Sequence, residues 1–188
     1  YVSLDVAPAI MKEAQDILAS KGLKSGEEFI VINPGGNWDL KRWPAPRYRA
    51  LAQALIDEGK RVVFTGAPTD TELLKEITQG LNNRVIIDLS GATNLKQLLA
   101  VLKMAKAVIS GDSGPLHLAA SVGTDSIALF GPTRPEVTSP RGKGKVRIIQ
   151  KDIGCNITPC YFLDCPNNQC MQMITVEEVL HAVKRIGC

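Results

Sequence analysis

Long apolar runs and abundant histidine, two features that often reveal a function, are missing from this 188-residue sequence. No apolar run approaches the roughly 20 residues that a membrane-spanning helix needs. The opening YVSLDVAPAIMKEAQ has neither the basic region nor the cleavage pattern of a signal peptide. The net charge of +3 comes from scattered lysines and arginines rather than from runs. Nucleic acid is therefore not an expected partner, whereas an anionic ligand is compatible with the charge.

Several catalytic motifs are also absent, including the Walker A sequence, the GxGxxG fingerprint and the GxSxG elbow. The sequence does contain GDSG at 111–114, which resembles the GDSGGP of chymotrypsin-like proteases. A nucleophilic serine needs a base with its own orienting carboxylate. His117 lies in the same turn as Ser113, where it is more easily aimed at a shared ligand than at the serine hydroxyl. His181 lies on the predicted closing helix, where we expect it at the surface. We therefore expect Ser113 to hold a ligand rather than to attack one.

Apolar strand patterns alternate with amphipathic helix patterns along the chain. The strand patterns are FIVIN (29–33), RVVFTG (61–66), RVIIDLSG (84–91), AVISGDSG (107–114), SIALFG (126–131) and VRIIQ (146–150). The helix patterns cover 8–21, 46–58, 69–80, 94–105, 115–123 and 175–186. Continuously apolar strands are typical of a parallel sheet with helices on both faces. The sequence predicts an α/β fold, a Rossmann-like doubly wound parallel sheet, as a single domain over 1–188.

Polar residues and glycines concentrate in the loops that follow the strands, where sheets of this kind bind ligands. These loops are PGGNWDLKRWP (34–44), TGAPTDTE (65–72), LSGATN (89–94), SGDSGPLH (110–117) and FGPTRP (130–135). Loops are polar and glycine-rich in many proteins, so this distribution alone leaves a purely structural explanation open. The individual residues are needed to distinguish a ligand site from a purely structural role of these loops.

The GDSGPLH segment has the composition of a helix start. Ser113 suits the N-cap position and Pro115 suits the first helical turn. The free amides and the positive dipole end of such a helix bind phosphate oxygens well. Gly111 and Gly114 allow a ligand to approach the backbone, and His117 is placed to face the same ligand. We expect a phosphate site here.

Lys41 places positive charge in the first of these loops, where it could stabilise the charge of a leaving diphosphate. A solvated loop lysine is an equally good explanation of the sequence at this position. Trp43 and Pro44 follow it directly. We expect these two residues to pack and to fix the loop rather than to contact a ligand.

The loop sequences INPGGNWDLKRWP, TGAPTDTE, LSGATNLKQLLAVL and SGDSGPLHLAASVGTDSIALFGPTRPE occur here in an order and spacing that resemble the glycosyltransferase family 9 heptosyltransferases. The resemblance covers roughly 27–186 and concerns their nucleotide-sugar-binding half. It implies a GT-B architecture, in which two Rossmann-like domains face each other across a cleft, with this chain as the C-terminal one. The absence of an initial Met fits the expectation that the chain is part of a longer protein.

The resemblance also implies roles for individual residues. Lys41 would bind the donor diphosphate, and Glu72 would bind the ribose. The backbone at 90–93, which includes Gly91, would meet the adenine. The phosphate and sugar end of the pocket would contain Asp112, Ser113, Gly114 and His117, and Asn37 joins the substrate-binding candidates. The catalytic base is an aspartate of the N-terminal domain in this family, so no catalytic residue is expected in this chain.

The implied reaction is an inverting transfer of heptose from ADP-heptose to the inner core of lipopolysaccharide. No metal or other cofactor is expected for it. We expect a cytoplasmic location, and any peripheral contact with the inner membrane would involve the acceptor and the missing half. The isolated domain should bind the donor without turning it over. Two alternatives are a binding module that transfers nothing, and another GT-B glycosyltransferase or an epimerase that uses a UDP-sugar.

Four cysteines recur at a constant spacing in the loop predicted at 151–173, namely Cys155, Cys160, Cys165 and Cys170. The spacing differs from the close C-x2-C pairs of zinc ribbons, although four thiolates in one loop could still meet a metal. Cytosolic conditions argue against disulfides. A structural loop, a metal site and redox pairing therefore remain open. Among the family, the segment resembles the second heptosyltransferase of the inner core.

Overall fold

A parallel six-stranded sheet forms the centre of the computed structural model, which describes residues 2–82, 84–155, 160, 165 and 167–187. The strands are β1 (Phe29–Asn33), β2 (Arg61–Phe64), β3 (Ile86–Asp88), β4 (Ala107–Gly111), β5 (Ser126–Phe130) and β6 (Val146–Gln150). Their order in the sheet is β3-β2-β1-β4-β5-β6, and every neighbouring pair is parallel. This arrangement confirms the predicted doubly wound α/β fold.

Helices flank the sheet close to the predicted positions. They are α1 (Pro8–Ser20), α2 (Ala45–Asp57), α3 (Thr71–Thr78), α4 (Leu95–Met104), α5 (Gly114–Ser121), α6 (Pro135–Thr138), α7 (Gln169–Gln172) and α8 (Val176–Arg185). Two short 3-10 turns, Asp39–Lys41 and Pro68–Asp70, lie in loops. The four-residue helices α6 and α7 were not predicted, because one turn carries no apolar periodicity. Across the described ranges, no helix has the length and apolar character needed to traverse a bilayer.

Distinct apolar clusters cover the two faces of the sheet. Along β1, Ile30 and Ile32 belong to the cluster that packs against α2, α3 and α8. Phe29 and Val31 point the other way, into the cluster with α1, α4 and α5. Side chains alternate between faces along a strand, so a strand covered on both sides is apolar on both faces rather than only at every second residue. All five residues of β1 are buried accordingly.

Trp43 packs inside the protein, as predicted. Its side chain is 1% exposed, and its ring meets that of Tyr48 edge to face at a centroid distance of 5.0 Å. The indole Nε1 donates a hydrogen bond of 3.0 Å to the carbonyl oxygen of Ile174. This contact anchors the end of the β1–α2 loop, two residues after Lys41. On α8, His181 is exposed, which also agrees with the prediction.

The strand order reverses between β1 and β4. The chain proceeds from β1 to β2 on one side, and β4 continues to β5 on the other. Asn33 at the end of β1 lies beside Ser110 near the end of β4. The loops that leave these two strands therefore diverge and leave a crevice between them, as in other doubly wound sheets.

Candidate functional site

A cavity of about 590 Å³ lies at this crevice. Residues from four of the loops singled out by sequence line it, together with the first turns of α4 and α5. Its lining residues include Asn33, Gly36, Asn37, Trp38, Lys41, Pro68, Thr93, Asp112, Ser113 and Gly114. We refer to it as the first cavity. Its position is the carboxyl edge of the sheet, where doubly wound sheets bind ligands.

Two glycines allow the loops around the first cavity to approach each other. A Cβ atom added to Gly111 would lie 3.0 Å from the carbonyl oxygen of Lys41. One added to Gly35 would lie 2.2 Å from Oδ2 of Asp70. That oxygen accepts a hydrogen bond from the backbone amide of Ala67 at 2.8 Å. Larger residues at these positions would push neighbouring loops apart.

Lys41 ends the 3-10 turn of the β1–α2 loop and forms an ion pair with Asp112. Its Nζ lies 2.7 Å from Oδ2 of Asp112 and 5.5 Å from the ring centroid of Trp38. The side chains of Lys41 and Asp112 are 25% and 5% exposed. Lys41 is therefore a paired, largely buried cation at the cavity wall, not a solvated loop lysine.

Asp112 has further partners that sequence reasoning missed. The hydroxyl groups of Thr133 and Thr138 lie 2.8 and 3.3 Å from the same Oδ2. Nε2 of His117 lies 4.0 Å from the other oxygen, Oδ1. The loop FGPTRP contains Thr133 and was singled out, but nothing in its sequence distinguishes this threonine from others. The contact depends on β5 lying beside β4, which brings their following loops together.

Ser113 occupies the N-cap position of α5, as predicted, with an extended backbone. Its side chain makes no capping hydrogen bond, and its Oγ instead lies 3.0 Å from Oγ of Ser110. Pro115 stands in the first turn of the helix. The amino end of α5 thus faces the first cavity with Ser113 and Gly114 at its wall. Such an end favours an anion through its free amides and its dipole.

A second cavity, of about 650 Å³, adjoins the first. Both are lined by Lys41, Asp112, Ser113 and Gly114, and His117 lines the second. The Lys41–Asp112 pair consequently lies at the boundary between the two cavities. A ligand that extends from one cavity into the other would pass this pair.

Glu72 and Gly91 line neither cavity. Glu72 lies in the first turn of α3, where its side chain is 84% exposed and pairs with Lys75 at 2.7 Å. Gly91 has a φ of +65° and donates its amide to the carbonyl oxygen of Gly66 at 3.0 Å. Pro68, which does line the first cavity, is its neighbour. Gly91 therefore contacts the cavity wall through Gly66, which also lines the first cavity.

The cysteines that recur in the sequence border a separate cavity of about 400 Å³. Cys155, Cys160, Cys165 and Cys170 are free thiols, and burial raises the pKa of Cys170. Within the described ranges, no three His, Cys, Asp or Glu side chains converge on a point where they could hold a metal ion. The predicted loop 151–173 also contains 156–159, 161–164 and 166, which lie outside the described residues. Its end is helical, since α7 begins at Gln169.

Comparisons with known proteins agree with this arrangement. Residues 4–166 match the model of glycosyltransferase family 9 (heptosyltransferase). Lipopolysaccharide heptosyltransferase 2 of Escherichia coli K12 is 34% identical over 173 residues, which are 80% of this chain and 49% of that protein. The chain spans about half the length of the curated relatives it matches.

Solved structures show the same relationship. The structure of E. coli ADP-heptose LPS heptosyltransferase II matches with a TM-score of 0.80 at 31% identity, covering 98% of this chain and 53% of that one. E. coli heptosyltransferase WaaC with ADP matches with a TM-score of 0.68 at 26% identity, covering 93% and 48%. Since the family model extends over most of the residues and the fold agrees with these heptosyltransferases, the chain belongs to glycosyltransferase family 9.

Proposed function

We propose that this chain is the donor-binding domain of an inverting heptosyltransferase, which transfers heptose from ADP-heptose to the inner core of lipopolysaccharide. The Lys41–Asp112 pair beside the amino end of α5 carries the proposal, because a cation and helix amides together suit a diphosphate. Similarity to heptosyltransferase 2 proteins supports the heptosyltransferase 2 subtype.

The nucleotide belongs in the first cavity, whose lining includes Pro68 and Thr93. Its diphosphate would lie near Lys41, Ser113 and Gly114, at the boundary with the second cavity. One relative of known structure contains ADP, which supports adenosine diphosphate rather than a uridine nucleotide. The ribose and adenine roles suggested for Glu72 and Gly91 stay predictions, as does substrate contact by Asn37.

The heptose belongs in the second cavity, where His117 contributes to the wall. Transfer develops negative charge on the leaving ADP, and the Lys41 ammonium with the α5 dipole would stabilise it. A divalent metal is not part of this proposal, because these groups supply the positive charge. The base that activates the acceptor hydroxyl would come from outside this chain.

The partners follow from the same proposal. The acceptor is a lipopolysaccharide core, bound by the complete protein, and nucleic acid is not a partner. We place the reaction in the cytoplasm, with contact at the inner membrane made through the acceptor. Residues 1–188 act as one domain, which is supported by the single sheet with apolar clusters packed on both of its faces.

Calorimetry of the chain with ADP, UDP and ADP-heptose tests the donor assignment. We expect ADP to bind more tightly than UDP, and Lys41→Ala to weaken ADP binding roughly tenfold or more, as expected for a lost charge-assisted contact. His117→Ala should weaken ADP-heptose more than ADP, because His117 lines the sugar side.

Lys106→Ala is the matched control. Lys106 is exposed, pairs with Glu28 at 3.3 Å and precedes β4 at the opposite edge of the sheet. The Lys106→Ala variant should leave ADP affinity unchanged. Equal binding of ADP by wild type and Lys41→Ala, or a preference for UDP, would contradict the assignment.

A further inference from the structure

Asp112 carries a charge that the surrounding residues must compensate inside the protein. Its side chain is 5% exposed. Oδ2 accepts hydrogen bonds from the Lys41 ammonium at 2.7 Å and from the Thr133 hydroxyl at 2.8 Å. A carboxylate in such surroundings is costly when its partners are removed.

The proposed function creates this situation during each binding event. Lys41 is paired with Asp112 here, yet it is the cation assigned to the donor diphosphate. A diphosphate near Lys41 competes with Asp112 for the same ammonium. When Lys41 turns toward the phosphate, Asp112 loses its nearest positive partner while a second anion approaches.

Two threonine hydroxyls are in place to hold the carboxylate at that moment. Thr133 is 5% exposed and donates to Oδ2. The Thr138 hydroxyl has one hydrogen and two acceptors within reach, Oδ2 at 3.3 Å and the carbonyl oxygen of Arg134 at 3.2 Å. It can therefore donate fully to Asp112 once Lys41 withdraws.

We propose that Thr133 and Thr138 are positioning residues that hold the Asp112 carboxylate and so allow Lys41 to exchange between Asp112 and the donor diphosphate. Neither threonine needs to contact the nucleotide for this role. Thr133 makes the shorter contact and is the principal partner, and Thr138 assists. The inference rests on the proposed function, because it assumes that a diphosphate binds at Lys41.

Calorimetric titration of the whole chain with ADP tests the inference. Thr133→Val keeps the shape of the side chain and removes the hydroxyl, and we expect ADP affinity to fall about tenfold, the scale of one hydrogen bond to a charged group. Thr133→Ser should restore most of the affinity. Thr138→Val should have a smaller effect in the same direction.

Thr124→Val is a matched control for the loss of a buried threonine hydroxyl. Thr124 is 6% exposed, and its hydroxyl donates to the carbonyl oxygen of Leu102 at 2.8 Å, away from both cavities. This variant should lower thermal stability without changing ADP affinity. An equal loss of ADP affinity in Thr124→Val and Thr133→Val would overturn the inference, because general destabilisation would then explain both.

A double-mutant cycle separates a role through Lys41 from an independent one. In a Lys41→Met background, Thr133→Val should change ADP affinity by less than twofold, because no exchange remains to be supported. Full additivity of the two losses would overturn the inference. If wild type itself does not bind ADP, the proposed function fails; if it binds through Lys41 but Thr133→Val is silent, the inference alone fails.

Discussion

The Asp112 carboxylate interacts with groups of two kinds at the boundary of the two cavities. It pairs with the Lys41 ammonium, which a diphosphate would also bind. It also accepts a hydrogen bond from the hydroxyl group of Thr133, in the loop that follows β5. Sequence reasoning identified Asp112 and Lys41 as members of one site. It did not show that they pair with each other, since the residues are 71 positions apart.

We predict that Asp112→Asn binds ADP several-fold more tightly than wild type. The substitution frees Lys41 and removes a negative charge that repels the diphosphate. The two threonine hydroxyls can still donate to the amide oxygen, so local packing should survive. Calorimetry with ADP measures the change. Asp16→Asn on α1, which removes a carboxylate paired with Lys12, is the control. Weaker ADP binding in Asp112→Asn would show that the carboxylate itself favours the nucleotide.

At the scale of elements, the strands and long helices were predictable because each carries its own periodicity of apolar residues. The loops were predictable in position but not in geometry. Gly35 and Gly36 are identical in sequence terms, yet Gly35 faces Asp70 of the next loop whereas a Cβ on Gly36 would meet nothing within 4 Å. Only the packing of the β1–α2 loop against the β2–α3 loop separates them.

We therefore predict opposite outcomes for two neighbouring substitutions. Gly35→Ala should displace the Asp70 carboxylate from the Ala67 amide and lower the free energy of unfolding by about 1–2 kcal/mol, as overpacking does. It should also weaken ADP binding, because both loops line the first cavity. Gly36→Ala should change the free energy of unfolding by less than about 0.5 kcal/mol. Urea denaturation compares the two, and equal effects would refute the assigned contact.

At the scale of the whole molecule, α8 and the end of β6 are joined by the ion pair between Glu178 and Lys151. The hydrogen bond from Lys151 holds the pKa of Glu178 below its ordinary value of 4.5. A lowered pKa in the folded state means that the pair stabilises the fold above the unfolded-state pKa. This contribution is lost as the pH falls through the folded-state pKa.

We predict that Glu178→Gln lowers the free energy of unfolding at pH 7 by less than about 1 kcal/mol, because the side chain is 39% exposed. Glutamine preserves the capping box with Thr175, so the charge alone is removed. The variant should lose less stability than wild type as the pH falls below 4.5. Urea midpoints across pH 3 to 7 measure this, with the exposed neighbour Glu177→Gln as control. If the urea midpoints of wild type and Glu178→Gln changed equally with pH, the predicted contribution of the Glu178–Lys151 pair would be wrong.

The amino-acid sequence by itself determined the order of strands and helices, the parallel sheet and the edge at which the candidate ligand-binding loops gather. These features follow from local periodicity and from the apolar character that a doubly covered sheet requires. Tertiary structure alone decided which side chains meet there. It placed Thr133 on Asp112, turned Glu72 to the surface and gave Ser113 a serine partner. Contacts between distant residues depend on strand order and loop geometry, which no short stretch of sequence contains.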